Sequence, residues 1–230
     1  TFKIDNEIFS ANGSIRNLTK NALVNMAMKG TLDLSKIDQV LPVELDQQLS
    51  GVFKADVRTN FDMASIENEQ YQSIQTYGTA SLSDFSYKDP DFKNEIKIET
   101  VSMDLSPGNI KLNEMKGSTG ETDISATGTI QNLVPWIMAK QDLKGRFNVK
   151  SNTFNLNDFK SADTETASTS GKSATTTESD EQIKIPDFLD ATLDFTAKKV
   201  IYDDITLNNA SGTVSIKEET ANLNNVKSDL

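Results

Sequence analysis

Apolar and polar residues alternate along most of this chain. Across Gly51 to Phe61, the residues Phe53, Ala55, Val57 and Phe61 share one parity while Lys54, Asp56, Arg58 and Asn60 take the other. That is the pattern of a strand with one buried face. The same arithmetic recurs at Val24, Met26, Met28, Leu32 and Leu34 through Gly30, and at Ile124, Ala126 and Ile130 through Gly128. It returns at Phe147 and Val149 after Gly145, and at Leu193, Phe195 and Ala197. Between Ile96, Ile98 and Val101, Met103, Leu105 the parity flips. A one-residue slip sends side chains to the opposite face, so a bulge or a turn is expected there. Ser106-Pro107-Gly108-Asn109 places Pro then Gly as a type II turn requires and predicts a hairpin, and Lys88-Asp89-Pro90-Asp91 predicts a loop. Helices are few and short: Ser35 to about Leu41, opened by Ser35 with Asp38 as a capping box; Ser65 to Ile74; and Leu133 to Ala139 around Pro135 and Trp136. They are expected to cover sheet edges or ends. The glycines at 13, 30, 51, 128 and 145 stand at strand starts or interiors, where bending or close backbone approach explains them.

Composition narrows the chemistry. Leu, Ile, Val and Phe make up 57 of 230 residues, about a quarter, enough for a core or an apolar face despite a formal charge of -11. Without Cys there is no disulfide framework and no thiol nucleophile, and without His the commonest general base and metal ligand are gone. An enzyme is disfavoured. With only Arg16, Arg58 and Arg146 as arginines in an acidic chain, nucleic-acid binding is discarded. No apolar run approaches the ~20 residues that span a bilayer and no signal-peptide pattern opens the chain, which predicts a soluble piece. It begins at Thr1 and ends at Leu230 soon after an apolar alternation, and is expected to belong to something longer. From Lys160 to Gln182 there is no Ile, Leu, Val, Met, Phe, Tyr or Trp. Residues 160–182 therefore read as a disordered polar insertion between two β segments, 1–159 and 183–230.

An internal repeat links residues 9–34 to 124–149. Phe9-Ser-Ala-Asn-Gly13-Ser-Ile-Arg-Asn-Leu18 lies without gaps on Ile124-Ser-Ala-Thr-Gly128-Thr-Ile-Gln-Asn-Leu133, and Met28-Lys29-Gly30 falls on Leu143-Lys144-Gly145. A second echo pairs Ile110–Gly117 with Ile205–Gly212. Self-similarity of this kind marks stacked units whose apolar faces join. The run Gly128-Thr-Ile-Gln-Asn-Leu-Val-Pro-Trp136, the run Leu143 to Phe159 and the strand pair Ile205-Thr-Leu-Asn-Asn-Ala-Ser-Gly-Thr-Val-Ser-Ile216 resemble the C-terminal β-rich region of AsmA-family envelope proteins, in a Bacteroidetes-like version. The resemblance covers roughly residues 10–159 and 189–226, and the order and spacing of its motifs carry it. It implies an elongated antiparallel sheet bent into a gutter with an apolar lining. It further implies a periplasmic protein held in the inner membrane by an N-terminal helix absent from these residues, outer-membrane components among its partners, and phospholipid transfer between membranes in support of outer-membrane biogenesis. The polar insertion departs from that pattern and puts the continuity of the sheet near residue 160 in question.

The expected fold is therefore all-β: an elongated, curved antiparallel sheet forming an open apolar groove, with a two-layer β-sandwich as the alternative. Strands of ~6 to 8 residues, a dozen of them, would give a gutter ~55 to 60 Å long. Phe53, Val57, Ile96, Ile98, Phe147, Val149, Phe195 and Ile216 are the expected lining, each equally readable as ordinary core. Phospholipid, or another acyl-chain lipid, is the expected partner; no cofactor and no metal are expected. The competing function is a secreted or surface structural β protein whose apolar faces are internal, followed by an acid-dependent glycan hydrolase resting only on abundant carboxylates. Asp89 with Asp91, and Asp203 with Asp204, are candidate carboxylate pairs or calcium ligands, but neither pair has EF-hand spacing and both sit in expected turns. Trp136 either meets a lipid headgroup or plugs an end of the sheet.

Overall fold

The structure is a computed structural model that describes residues 2–4, 7–39, 49–88, 93–160 and 188–229. Twelve strands form one sheet in sequence order. They are β1 (Phe2–Ile4), β2 (Glu7–Arg16), β3 (Leu23–Asp33), β4 (Val52–Asp62), β5 (Gln75–Tyr87), β6 (Ile96–Ser106), β7 (Asn109–Thr119) and β8 (Thr122–Ile130), then β9 (Leu143–Asn155), β10 (Leu189–Tyr202), β11 (Ile205–Lys217) and β12 (Thr220–Asp229). Two short helices, α1 (Met63–Glu67) and α2 (Leu133–Ala139), sit in the β4–β5 and β8–β9 links. The sheet is not closed into a barrel. Every strand belongs to it, so the two-layer sandwich is not the architecture of the described residues. From β2 onward the strands run 9 to 14 residues, longer than the 6 to 8 expected.

The wholly antiparallel sheet is corrected at one place. β9 and β10 pair in parallel, Leu143 beside Leu189 and Val149 beside Phe195. An antiparallel neighbour needs only a hairpin, whereas a parallel one needs a connection of a dozen or more residues to bring the chain back to the same end. Residues 161–187 are that connection, and the sheet runs on unbroken past residue 160. The predicted disorder of 160–182 lies outside the described residues except at Lys160, whose Nζ is 2.7 Å from Asp203 Oδ1 in the β10–β11 turn.

The local expectations fare unevenly. Pro107 and Gly108 link β6 to β7, with Ser106 paired to Asn109 and Gly108 at φ +66. Residues 34–39 wind as a 3₁₀ turn instead of an α-helix opened by Ser35; the capping acceptor is Asp33, whose Oδ1 takes Ser35 N at 3.0 Å and Ser35 Oγ at 2.7 Å. Residues 40 and 41 lie outside the described residues, as do Asp89, Pro90 and Asp91. The helix expected over Ser65–Ile74 is split into α1 and a 3₁₀ turn over Tyr71–Ser73, because Glu69 adopts φ +55. α2 spans Leu133–Ala139 as expected. The repeat does not carry over into pairing: Gly13 pairs with Met26, but its counterpart Gly128 pairs with Phe147 and not with Gln141, since the positions that hold the β2–β3 link and the start of β3 in the first copy form α2 in the second.

Links at one end of the strands meet one another. The β4–β5 and β8–β9 links are four strand spacings apart, ~19 Å in a flat sheet. Even so, the Tyr71 hydroxyl donates to Gln141 Oε1 at 3.1 Å, Gln141 Nε2 donates to the Ile66 carbonyl at 3.0 Å, and Lys144 Nζ lies 2.9 Å from Glu69 Oε2. Beneath them Val24, Phe61, Ile66 and Ile74 form a small core, against which Val134 of α2 packs. At the opposite end the buried Asp158 takes Glu121 N and Thr122 N at 3.0 Å, Thr122 Oγ1 at 2.9 Å and Asn94 Nδ2 at 3.0 Å.

Asp158→Ala strips the acceptor from four donors at once and should cost about 3 kcal/mol in urea denaturation, with far-UV circular dichroism of the folded state unchanged. Asp62 caps α1, and hydrogen bonds from Asn21 and then Ser65 hold its carboxyl below the usual value of 3.8. A lowered folded pKa contributes stability that is present above 3.8 and fades as pH falls through the folded value. Asp62→Ala should therefore cost ~1 kcal/mol near neutral pH, less in high salt, and nothing further once the carboxyl is protonated.

Candidate functional site

Register decides which side chains share a face. One row crosses eleven strands from β2 to β12: Ala11, Met28, Val57, Gly78, Leu105, Ile110, Ile130, Gly145, Ala191, Ile216 and Ala221. The neighbouring row on the same face reads Phe9, Gly30, Ala55, Ala80, Met103, Leu112, Gly128, Phe147, Leu193, Val214 and Leu223. A third reads Leu32, Phe53, Leu82, Val101, Met115, Ala126, Val149, Phe195 and Gly212. No polar side chain interrupts any of the three. The row between the first two points the other way: Ser10, Lys29, Asp56, Thr79, Asp104, Lys111, Thr129, Arg146, Thr192, Ser215 and Asn222. That face holds cross-strand ion pairs, Lys29 with Asp56 at 2.6 Å and Arg146 with Asp194 at 3.0 Å.

All eight expected lining residues lie on the apolar face. Ile96 and Ile98 reach it through paired irregularities. β6 carries an extra residue at Glu99 against β7, and in β5 Asp84 stands opposite it at φ +53. Both strands flip parity at the same level, so Phe85, Ile98, Gly117 and Ile124 continue the apolar face. A matching shift in β7 lies between Leu112 and Met115. The parity flip visible in the sequence is thus a bulge, and it preserves the face instead of reversing it. At the far edge Asn225, at φ +53, does the same for Val226, whose methyl is where a Cβ on Gly212 would point.

The eight are not equally covered. Val57 and Phe147 are 6% and 8% exposed and belong to the main apolar cluster; Phe53 and Val149 pack against it half-buried. Ile96, Ile98, Phe195 and Ile216 are half-buried and lie beyond that cluster. Among the described residues no second sheet faces them, and each strand packs on its neighbours in the sheet. A Phe ring standing on a flat single layer keeps much of its surface in water. Phe147 is buried because its ring lies over Gly128 and Gly145, where any side chain would meet it, and because it shares the main cluster with Leu133 and Trp136 of α2.

Trp136 covers the margin of this face from α2, its ring centroid 6.0 Å from that of Phe188. Asp203 and Asp204 occupy the exposed β10–β11 turn, with Asp203 at φ +50. No group of three or more His, Cys, Asp or Glu among the described residues could hold a metal ion, and no helix there is long and apolar enough to cross a membrane. The sequence reading missed Gly78, where φ +124 and the Asp56 carbonyl leave no room for a side chain, and the rim contacts of Tyr71 with Gln141; neither has an alternation signal. No family model matches this chain, and neither do curated proteins or solved structures.

Phe147→Ala should cost about 3–5 kcal/mol in urea denaturation, the loss expected of a fully packed ring. Phe195→Ala should cost about half of that or less, because water already reaches its ring. Equal losses at the two positions would mean that both are ordinary core.

Proposed function

We propose that this chain is a non-enzymatic segment of a lipid-carrying protein, in which acyl chains lie along the apolar face while the polar face meets water. The observation that carries the reading is the run of three uninterrupted apolar rows on a single-layer sheet. The middle of the face is packed on itself, but Ile98, Phe195 and Ile216 stand half-buried with no second sheet over them among the described residues, and an apolar occupant would cover them. Twelve strands at ~4.8 Å spacing extend ~53 Å, and strand lengths of 9 to 14 residues leave the gutter wide enough for more than one chain.

The energetics suit transport. A phospholipid has on the order of 30 methylenes, and at ~0.8 kcal/mol per buried CH₂ an upper bound near ~25 kcal/mol is lost when it leaves a bilayer. A lining that stays apolar from strand to strand recovers part of this wherever its side chains are open to contact. The lipid then moves between near-equivalent positions with small barriers and without a catalytic group. The resemblance to the AsmA family adds the setting: a periplasmic region, an inner-membrane anchor outside these residues, and phospholipid passing towards the outer membrane.

Native mass spectrometry of the purified chain, mixed with phosphatidylcholine vesicles and separated from them, should show added masses of one or more phospholipids. Asp in place of Phe195 or Ile98, both half-buried, should reduce bound lipid about tenfold while circular dichroism stays that of the parent. A clean unliganded mass at every vesicle concentration would remove the proposal.

A further inference from the structure

The apolar surface of the groove continues around its rim at α2. Leu143, Leu189 and Trp136 pack against the main cluster, and beside them Ile137 and Phe188 stand 63% and 46% exposed. With Lys140, Gln141 and Asp142, the residues Trp136, Ile137 and Phe188 line a cleft of about 530 Å³. Its walls are held in place. The Leu143 N–H donates to the Phe188 carbonyl at 2.6 Å, while the buried Asn132 donates to the Asp142 carbonyl and accepts the Lys144 N–H, both at 2.7 Å. Lys140 ends α2 in the left-handed region, at φ +52, which turns the chain there.

Lys140 and Asp142 are exposed and, among the described residues, neither has an ion-pair partner, in contrast to Lys144, which is held by Glu69. Among the described residues the cleft thus presents the Lys140 ammonium and the Asp142 carboxylate beside an aromatic-aliphatic wall of Trp136, Ile137 and Phe188. A purely apolar occupant would leave both charges unused, and an anion would meet Asp142. A zwitterionic phospholipid satisfies all three features: phosphate at Lys140, the headgroup ammonium at Asp142, and chains against Trp136 and Phe188.

We infer that this cleft is the lateral loading site of the groove, where a zwitterionic phospholipid rests with its headgroup outside the rim and its chains directed past Trp136 and Phe188 onto the lining. This rests on the lipid-carrying reading and adds the place of entry to it. The lipid crosses the rim where the apolar surface is continuous, and need not travel in from the β1 or β12 edge.

Trp136 is the single tryptophan of the chain, which makes it the reporter. The full chain is incubated with vesicles of phosphatidylcholine brominated in one acyl chain, separated from them, and read by fluorescence and by native mass spectrometry together. The expected result is bound lipid with Trp136 emission cut about twofold or more, and loading about tenfold slower in Phe188→Asp and Ile137→Asp, whose exposed positions leave the fold intact. Lys140→Glu, which leaves the apolar wall untouched, should slow loading as well. Bound lipid with unchanged Trp136 emission, or loading of Phe188→Asp and Lys140→Glu at the parent rate, overturns the loading site and leaves the groove reading standing. No bound lipid in any sample removes both.

Discussion

A single-layer sheet has no second layer in which to hide an apolar face, and that constraint governs the rest of this molecule. Each side chain on the face must be sheltered by neighbours on its own and adjoining strands, which works only if register is kept without a slip from β2 to β12. A slip of one residue at any pairing would send Lys, Asp and Thr into the face and Leu, Ile and Phe out of it. Where strands carry an extra residue, at Glu99 and Asp84 or at Asn225, the irregularity is placed so that Ile98, Phe85 and Val226 return to the same side. Small residues share the work. Gly30, Gly78, Gly128 and Gly145 stand within the apolar rows, and at Gly78 no side chain would fit beside the Asp56 carbonyl.

The rims depend on the face in turn. Links at the α1 and α2 end converge because the sheet beneath them curves, and their convergence covers Ile66 and Val134. At the other end one carboxylate, Asp158, gathers donors from the β5–β6 loop and the β7–β8 turn. A polar rim thus closes the margins while the middle of the face stays apolar. Phe147 and Val57 are its packed floor, whereas Phe195, Ile98 and Ile216 remain partly open to whatever lies above them.

Much of this was legible in one dimension. Alternation marked β3, β4, β8, β9 and β10, the Pro-Gly pair marked the β6–β7 hairpin, and the parity flip before Val101 called for a bulge or a turn, of which the structure has the bulge. Parity places Phe53, Val57, Phe147, Val149, Phe195 and Ile216 on the apolar face, whereas Ile96 and Ile98 join it only through the irregularity at Glu99 and Asp84. What misled was local chemistry that tertiary contacts override. Ser35 looks like a cap, but in the structure its N–H and hydroxyl donate to Asp33, which is the acceptor; Ser65 to Ile74 looks like one helix, but Glu69 breaks it and Tyr71 reaches Gln141. The repeat of 9–34 in 124–149 is not matched in strand pairing, because the second copy forms α2 where the first begins β3.

A period of two and the shape of Gly, Pro and Asn are enough to make the chain β-rich with one apolar face to its strands, though not to say on which side Ile96 and Ile98 fall. Only the tertiary structure decided that the strands make one sheet and not two, that β9 and β10 run in parallel, and that the rims meet at Tyr71 and Gln141. Periodicity records which way a side chain points but not which strand lies beside it or what lies across from it. Those depend on contacts between residues far apart in the chain, whose cost and gain no local pattern encodes.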